Sequence, residues 1–182
     1  MRGIAMISED KLVKALIKGR YECYVKKSPS YNPYVKSELY DWDFKIEIDD
    51  LIFTDSYRGV NPYSGVEYVY EKGGNTPVWS CDYVGYVNQD AKVSSGEIYK
   101  FLKEARGNHL LNCQDNLFSD YTYENEIFKY ETFFQGDVSS LLQIENFYYT
   151  YSKSDRHQDK RFGSSAYMNL LVAQQMTAGR LK

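Results

Sequence analysis

The sequence predicts an α+β fold in which two related helix-plus-antiparallel-strand halves pack as one domain, with a C-terminal helix added. Three observations lead there. A capped-helix pattern occurs twice, as Ile7-Ser8-Glu9-Asp10-Lys11-Leu12-Val13-Lys14-Ala15-Leu16 and as Val93-Ser94-Ser95-Gly96-Glu97-Ile98-Tyr99-Lys100-Phe101-Leu102. Each copy is followed by Tyr-rich, alternating sequence of the kind that suits a pleated, half-buried surface. Helical apolar spacing then returns near the end of the chain. The boundaries expected are 1–154 for the duplicated domain, with halves of about 1–90 and 91–154, and 155–182 for a basic tail carrying the last helix.

The first helix is expected over 9–18. Ser8 is placed to cap it, Ile7 to staple onto Leu12, and Gly19 to stop it. Residues 21–25 read as a strand, and the Ser-, Asn- and Pro-containing stretch after them as an exposed loop. From 40 to 48 the chain alternates, with Trp42, Phe44, Ile46 and Ile48 on one face and Asp41, Asp43, Lys45 and Glu47 on the other. Asp49-Asp50 supplies a turn, 51–57 returns as a strand, and strands at 66–71 and 78–87 flank a turn at Gly73-Gly74. The second helix starts at a capping box of Ser94 and Glu97, buries Ile98, Phe101, Leu102 and Ala105, and ends at Gly107. Strand composition marks 116–118, 121–124, 127–134 and 144–151. A helix over 166–178 would bring Met168, Leu171, Val172 and Met176 to one face, with Gly179 as its stop.

A chain of 182 residues buries a core without staples. A net charge of -3 argues against polyanion binding by bulk charge. Three well-separated cysteines, Cys23, Cys81 and Cys113, suit reduced thiols in a cytoplasm, and no signal peptide or membrane-spanning apolar run is expected. Catalytic signatures are missing. His109 and His157 lie in no ligand-spaced cluster, and there is no nucleophile elbow, Walker loop or dinucleotide fingerprint. No catalytic residue, metal or cofactor is therefore assigned, and the expected role is binding.

Charge is unevenly spread. Between residues 38 and 55 there are seven acids and one base. Asp41, Asp43, Glu47, Asp49 and Asp50 either line a solvated strand face or form an anionic surface that meets a basic groove. The tail from 155 onward carries five bases and two acids. There, Arg156, Lys160 and Arg161 either keep the chain soluble or contact phosphate, with Tyr148, Tyr149 and Tyr151 placed to stack on bases. A third possibility is a small-ligand pocket between the halves, lined by Trp42, Trp79 and Tyr83.

Three stretches carry a family resemblance: Phe53-Thr54-Asp55-Ser56-Tyr57-Arg58-Gly59, Tyr63-Ser64-Gly65-Val66-Glu67 and Pro77-Val78-Trp79-Ser80-Cys81-Asp82-Tyr83-Val84-Gly85. In this order they resemble a bacterial domain of unknown function found alone or behind XRE-type helix-turn-helix segments. That resemblance covers roughly residues 12–151; stand-alone relatives of this size include a type II-A anti-CRISPR protein, and the chain looks similar to it. The resemblance implies a non-enzymatic inhibitor of the RNA-guided type II CRISPR effector nuclease, binding the effector–guide RNA complex and in some cases DNA. The fused relatives imply the alternative of a small-ligand sensor module.

Overall fold

The computed structural model describes residues 7–88, 93–113, 116–149 and 170–181, with the backbone alone for 170–175. In chain order the elements are α1 (Glu9–Arg20), a π-helical segment (Tyr21–Val25), β1 (Val35–Lys36), β2 (Trp42–Ile48), β3 (Leu51–Arg58), β4 (Tyr63–Glu71) and β5 (Pro77–Val87), then α2 (Ser95–Asn112), β6 (Tyr121–Glu124), β7 (Phe128–Asp137), β8 (Ser140–Tyr149) and β9 (Leu170–Arg180). The strands form one antiparallel sheet in the order β1-β2-β3-β4-β5-β9-β8-β7-β6. The fold class is thus α+β, as the composition indicates.

Both helices lie on one face of this sheet. Side chains that alternate along each strand divide accordingly. Phe44 and Ile48 of β2, Leu51 and Phe53 of β3, and Trp79 and Cys81 of β5 turn inward and pack with Leu12 and Leu16 of α1. Under α2, Ile98, Phe101 and Leu102 meet Phe128, Tyr130 and Phe147. The opposite face carries exposed Val84, Tyr86, Phe133 and Ile144 and, at the β2 edge, exposed Lys45 and Glu47. Among the described residues no helix is long and apolar enough to cross a membrane.

Several expectations are corrected. Residues 170–180 form a strand, not a C-terminal helix. Helical spacing and strand alternation both fit this stretch, and tertiary context decides. Strand β9 lies between β5 and β8 and pairs with both, supplying partners for two rows of backbone N–H and C=O groups that would otherwise end at open edges. Residues 21–25 are π-helical and extend α1, where a strand was expected. Gly19 and Gly107 do not end their helices, because both lie inside them at points of close approach. A Cβ on Gly19 would sit 2.3 Å from the Phe53 ring, and one on Gly107 would sit 3.0 Å from Val25. At these two positions glycine permits close contact, whereas Gly73 in the β4–β5 turn takes a positive φ of 84°. Residues 116–118 form a turn rather than a strand. Ser8 stands at the N-cap of α1 but its side chain makes no capping hydrogen bond, whereas Ser94 and Glu97 make a reciprocal capping box and Asp49 takes a positive φ of 55° in the β2–β3 turn.

Candidate functional site

Two carboxylates meet on the inner face where register dictates. Asp55 of β3 lies directly opposite Glu67 of β4, which lies opposite Cys81 of β5. All three side chains are buried. Arg20, in the last turn of α1, reaches down to the row. Its Nε donates to both Glu67 oxygens at 3.1 and 3.0 Å and its Nη2 donates to Oε2 at 2.7 Å. The other half of the same face has a counterpart. Arg106 of α2 donates to Glu145 of β8 through Nε, at 3.3 and 3.2 Å, and through Nη2. Tyr130 donates to the same carboxylate at 2.5 Å. Buried charges of this kind persist only when paired and hydrogen-bonded.

Among the described residues no cation pairs with Asp55. It accepts the Tyr34 hydroxyl at 2.5 Å and the Tyr83 hydroxyl at 2.8 Å. Burial and the charge of Glu67 push its pKa up to about 7, against the pull of those two donors. Burial also opposes ionisation of Glu145, but Arg106 and the Tyr130 hydroxyl together hold its pKa below the usual carboxylate range. Desolvation drives the Cys23 and Cys81 thiols well up, so both are inert buried groups.

Between the π-helical segment with the loop after it, α2 and the middle strands lies a cavity of about 710 Å³. Tyr83 of β5 and Met176 of β9, paired in register, contribute to its wall, and Asp55 and Glu67 reach it from one side and Arg106 from the other. Aromatic rings dominate the lining: Tyr24, Tyr34, Trp42, Tyr57, Tyr63 and Tyr99. Three lysines, Lys27, Lys100 and Lys103, complete it. The Lys27 ammonium sits 5.2 Å from the Tyr34 ring centre, 5.8 Å from that of Tyr57 and 6.0 Å from that of Trp42. It donates to the Tyr57 hydroxyl at 3.3 Å. Partial burial lowers its pKa.

The residues expected to form sites separate into groups. Trp42 and Tyr83 line the cavity. Trp79 does not; it is fully buried in the core, with its indole N–H donated to the Val138 carbonyl at 2.9 Å. The acids at the β2 edge are exposed or half-exposed, yet several serve the fold. Asp41 accepts the Gly59 amide at 2.7 Å, Glu47 pairs with Lys72 at 2.6 Å and Asp50 pairs with Lys11. Asp43 lies on the outer face and Asp49 at the turn. Arg156, Lys160 and Arg161 lie outside the described residues.

Sequence reasoning missed Arg20, Asp55, Glu67, Arg106 and Glu145. One signal was available for the arginines: Arg20 follows Ser8 by 12 residues and Arg106 follows Ser94 by 12. Inward placement of Glu67 and Glu145 was hidden, because a carboxylate in an alternating strand reads as a solvent-facing residue.

No curated protein and no solved structure matches the chain. One family does, described as a domain of unknown function (DUF5680). Its span, residues 55–158, takes in Asp55, Glu67, Tyr83, Arg106 and Glu145 and covers more than half of the sequence, so the chain belongs to this family.

Proposed function

We propose that this protein is a non-catalytic inhibitor of the RNA-guided type II CRISPR effector nuclease, working in the cytoplasm by binding the effector–guide complex. The partner follows from the ordered motifs around Asp55, Glu67 and Trp79 that resemble type II-A anti-CRISPR proteins. The structural observation that carries the binding role is the outer face of the sheet. Neither helix covers it. Asp43 and Glu47 stand on it near one edge, and Val84, Tyr86, Phe133 and Ile144 stand exposed across it. A hollow of about 430 Å³ bordered by Arg58, Asp82 and Val84 opens there as well. Exposed apolar groups beside acids suit a large partner with basic channels, and such a nuclease holds its guide and target in them. DNA contact through Arg156, Lys160 and Arg161 belongs to the same proposal.

The finer architecture supports a duplicated origin. The capped helices, Arg20 and Arg106 all repeat at an offset of 86 residues. Strand order mirrors about the β5–β9 pair, so β4 with Glu67 corresponds to β8 with Glu145. Each half then carries one helix arginine paired with one strand glutamate, Arg20 with Glu67 and Arg106 with Glu145.

Titration of effector–guide complex with the protein tests the inhibitor function. Stable association is expected, weakened at least tenfold by Asp43→Lys with Glu47→Lys; loss of the exposed Glu47–Lys72 pair should cost the fold little, and circular dichroism checks it. Undetectable association at micromolar concentrations contradicts it. The cavity favours a second function, a sensor module in which a small ligand sits between the halves.

A further inference from the structure

We propose that the cavity between the 24–34 segment and α2 binds a small molecule with a planar aromatic body and a negatively charged group, the body among the tyrosines and the charge among Lys27, Lys100 and Lys103. This rests on the cavity being a ligand site and adds the chemistry of the ligand. The volume, about 710 Å³, is that of a typical small-molecule site.

The charge balance decides the class. Two of the ionic groups in the wall are already satisfied: Glu67 by Arg20, and Arg106 by Glu145. Asp55 is sunk beneath two tyrosine hydroxyls and offers little charge to a ligand. The lysines differ. Among the described residues, none of Lys27, Lys100 and Lys103 forms an ion pair. Lys103 donates to the Lys27 main-chain carbonyl, which ties its side chain to the segment that carries Lys27. Lys27 is partly withdrawn from water with only rings and one hydroxyl for company. An anion placed there would gain charge-assisted hydrogen bonds in a half-buried setting, where such bonds are strongest.

The apolar half of the ligand is set by the lining. Tyr24, Tyr63 and Tyr99 present ring surface, and Leu102 and Met176 add aliphatic contact. Rings of this kind take planar bodies by stacking or edge contact. A cation would find its aromatic cage already occupied, because the Lys27 ammonium sits among Tyr34, Trp42 and Tyr57.

Two fluorescent probes separate the parts of the proposal. 8-Anilinonaphthalene-1-sulfonate carries an aromatic body and an anion; N-phenyl-1-naphthylamine carries nearly the same body without charge. With the full chain, the sulfonate is expected to bind one to one and at least tenfold more tightly than the neutral amine. Lys27→Gln with Lys103→Gln should remove that preference while leaving binding of the amine unchanged. Lys45→Gln, on the outer face, should leave both unchanged, and circular dichroism checks that each variant folds. If the two probes bind the cavity equally well, the anionic class is overturned while the ligand site stands. If neither binds, or if the lysine variant binds the sulfonate as tightly as the parent, the cavity proposal itself falls.

Discussion

Asp55 and His109 give the residue scale its sharpest consequence, because they tilt stability in opposite directions. Asp55 has its pKa raised to about 7, so the folded protein keeps a proton that the unfolded chain has lost. Stability from this group is greatest below the unfolded carboxylate value and falls as pH rises from about 4 to about 7. His109 is buried against Tyr121, with ring centres 4.8 Å apart, and burial pulls its pKa down to about 4. Here the unfolded chain binds the proton first, so stability falls as pH drops from about 6.5 to about 4. Asp55→Asn should leave a profile that rises with pH between about pH 5 and 6.5, and His109→Gln one that falls. Urea midpoints across that range measure both. The two ion pairs give a second expectation. Glu67→Gln or Glu145→Gln strands a buried guanidinium and should cost about 3–5 kcal/mol, read from denaturant unfolding. Arg20→Met combined with Glu67→Leu should recover most of that loss. None of this was visible as alternation. Asp55 and Glu67 lie in strands whose other members obey the pattern, and only register brings them opposite each other.

At the element scale, the second helix was legible because its start is written locally. Ser94 and Glu97 satisfy each other's orphan backbone groups, and nothing distant is needed. The β2–β3 hairpin was legible for a similar reason, with clean alternation closed by Asp49-Asp50. Helix ends were not, because Gly19 and Gly107 answer to neighbours far off in sequence. Gly19→Ala should destabilise the protein by about 1–3 kcal/mol despite the better helix propensity of alanine, since the ring of Phe53 is fully enclosed and has no room to move. Gly107→Ala meets only the end of Val25 and should cost less. Thermal unfolding of the pair checks the order. The last strand was the largest misreading. A stretch that fits either period takes the form its neighbours require, and β5 and β8 require a strand. Thr177→Pro removes a ladder donor in the middle of the sheet and should unfold the domain, read as loss of the cooperative melting transition.

For the whole molecule, a sheet clothed on one face by two helices leaves two surfaces on which the proposed functions rest. The covered face encloses the aromatic cavity and its lysines; the bare face carries exposed acids and apolar groups. The sequence analysis identified the acids of the bare face and two cavity residues, Trp42 and Tyr83. The charged interior escaped it, because composition reports how many acids a chain has and not which way they point. Inhibition of the type II effector is the claim on which the biological account turns. Cleavage of target DNA by effector and guide, measured with increasing amounts of this protein, tests it most directly. Cleavage should be lost as the protein reaches excess and should return when Asp43→Lys and Glu47→Lys replace the parent; full cleavage at a large excess of the intact chain would contradict the account.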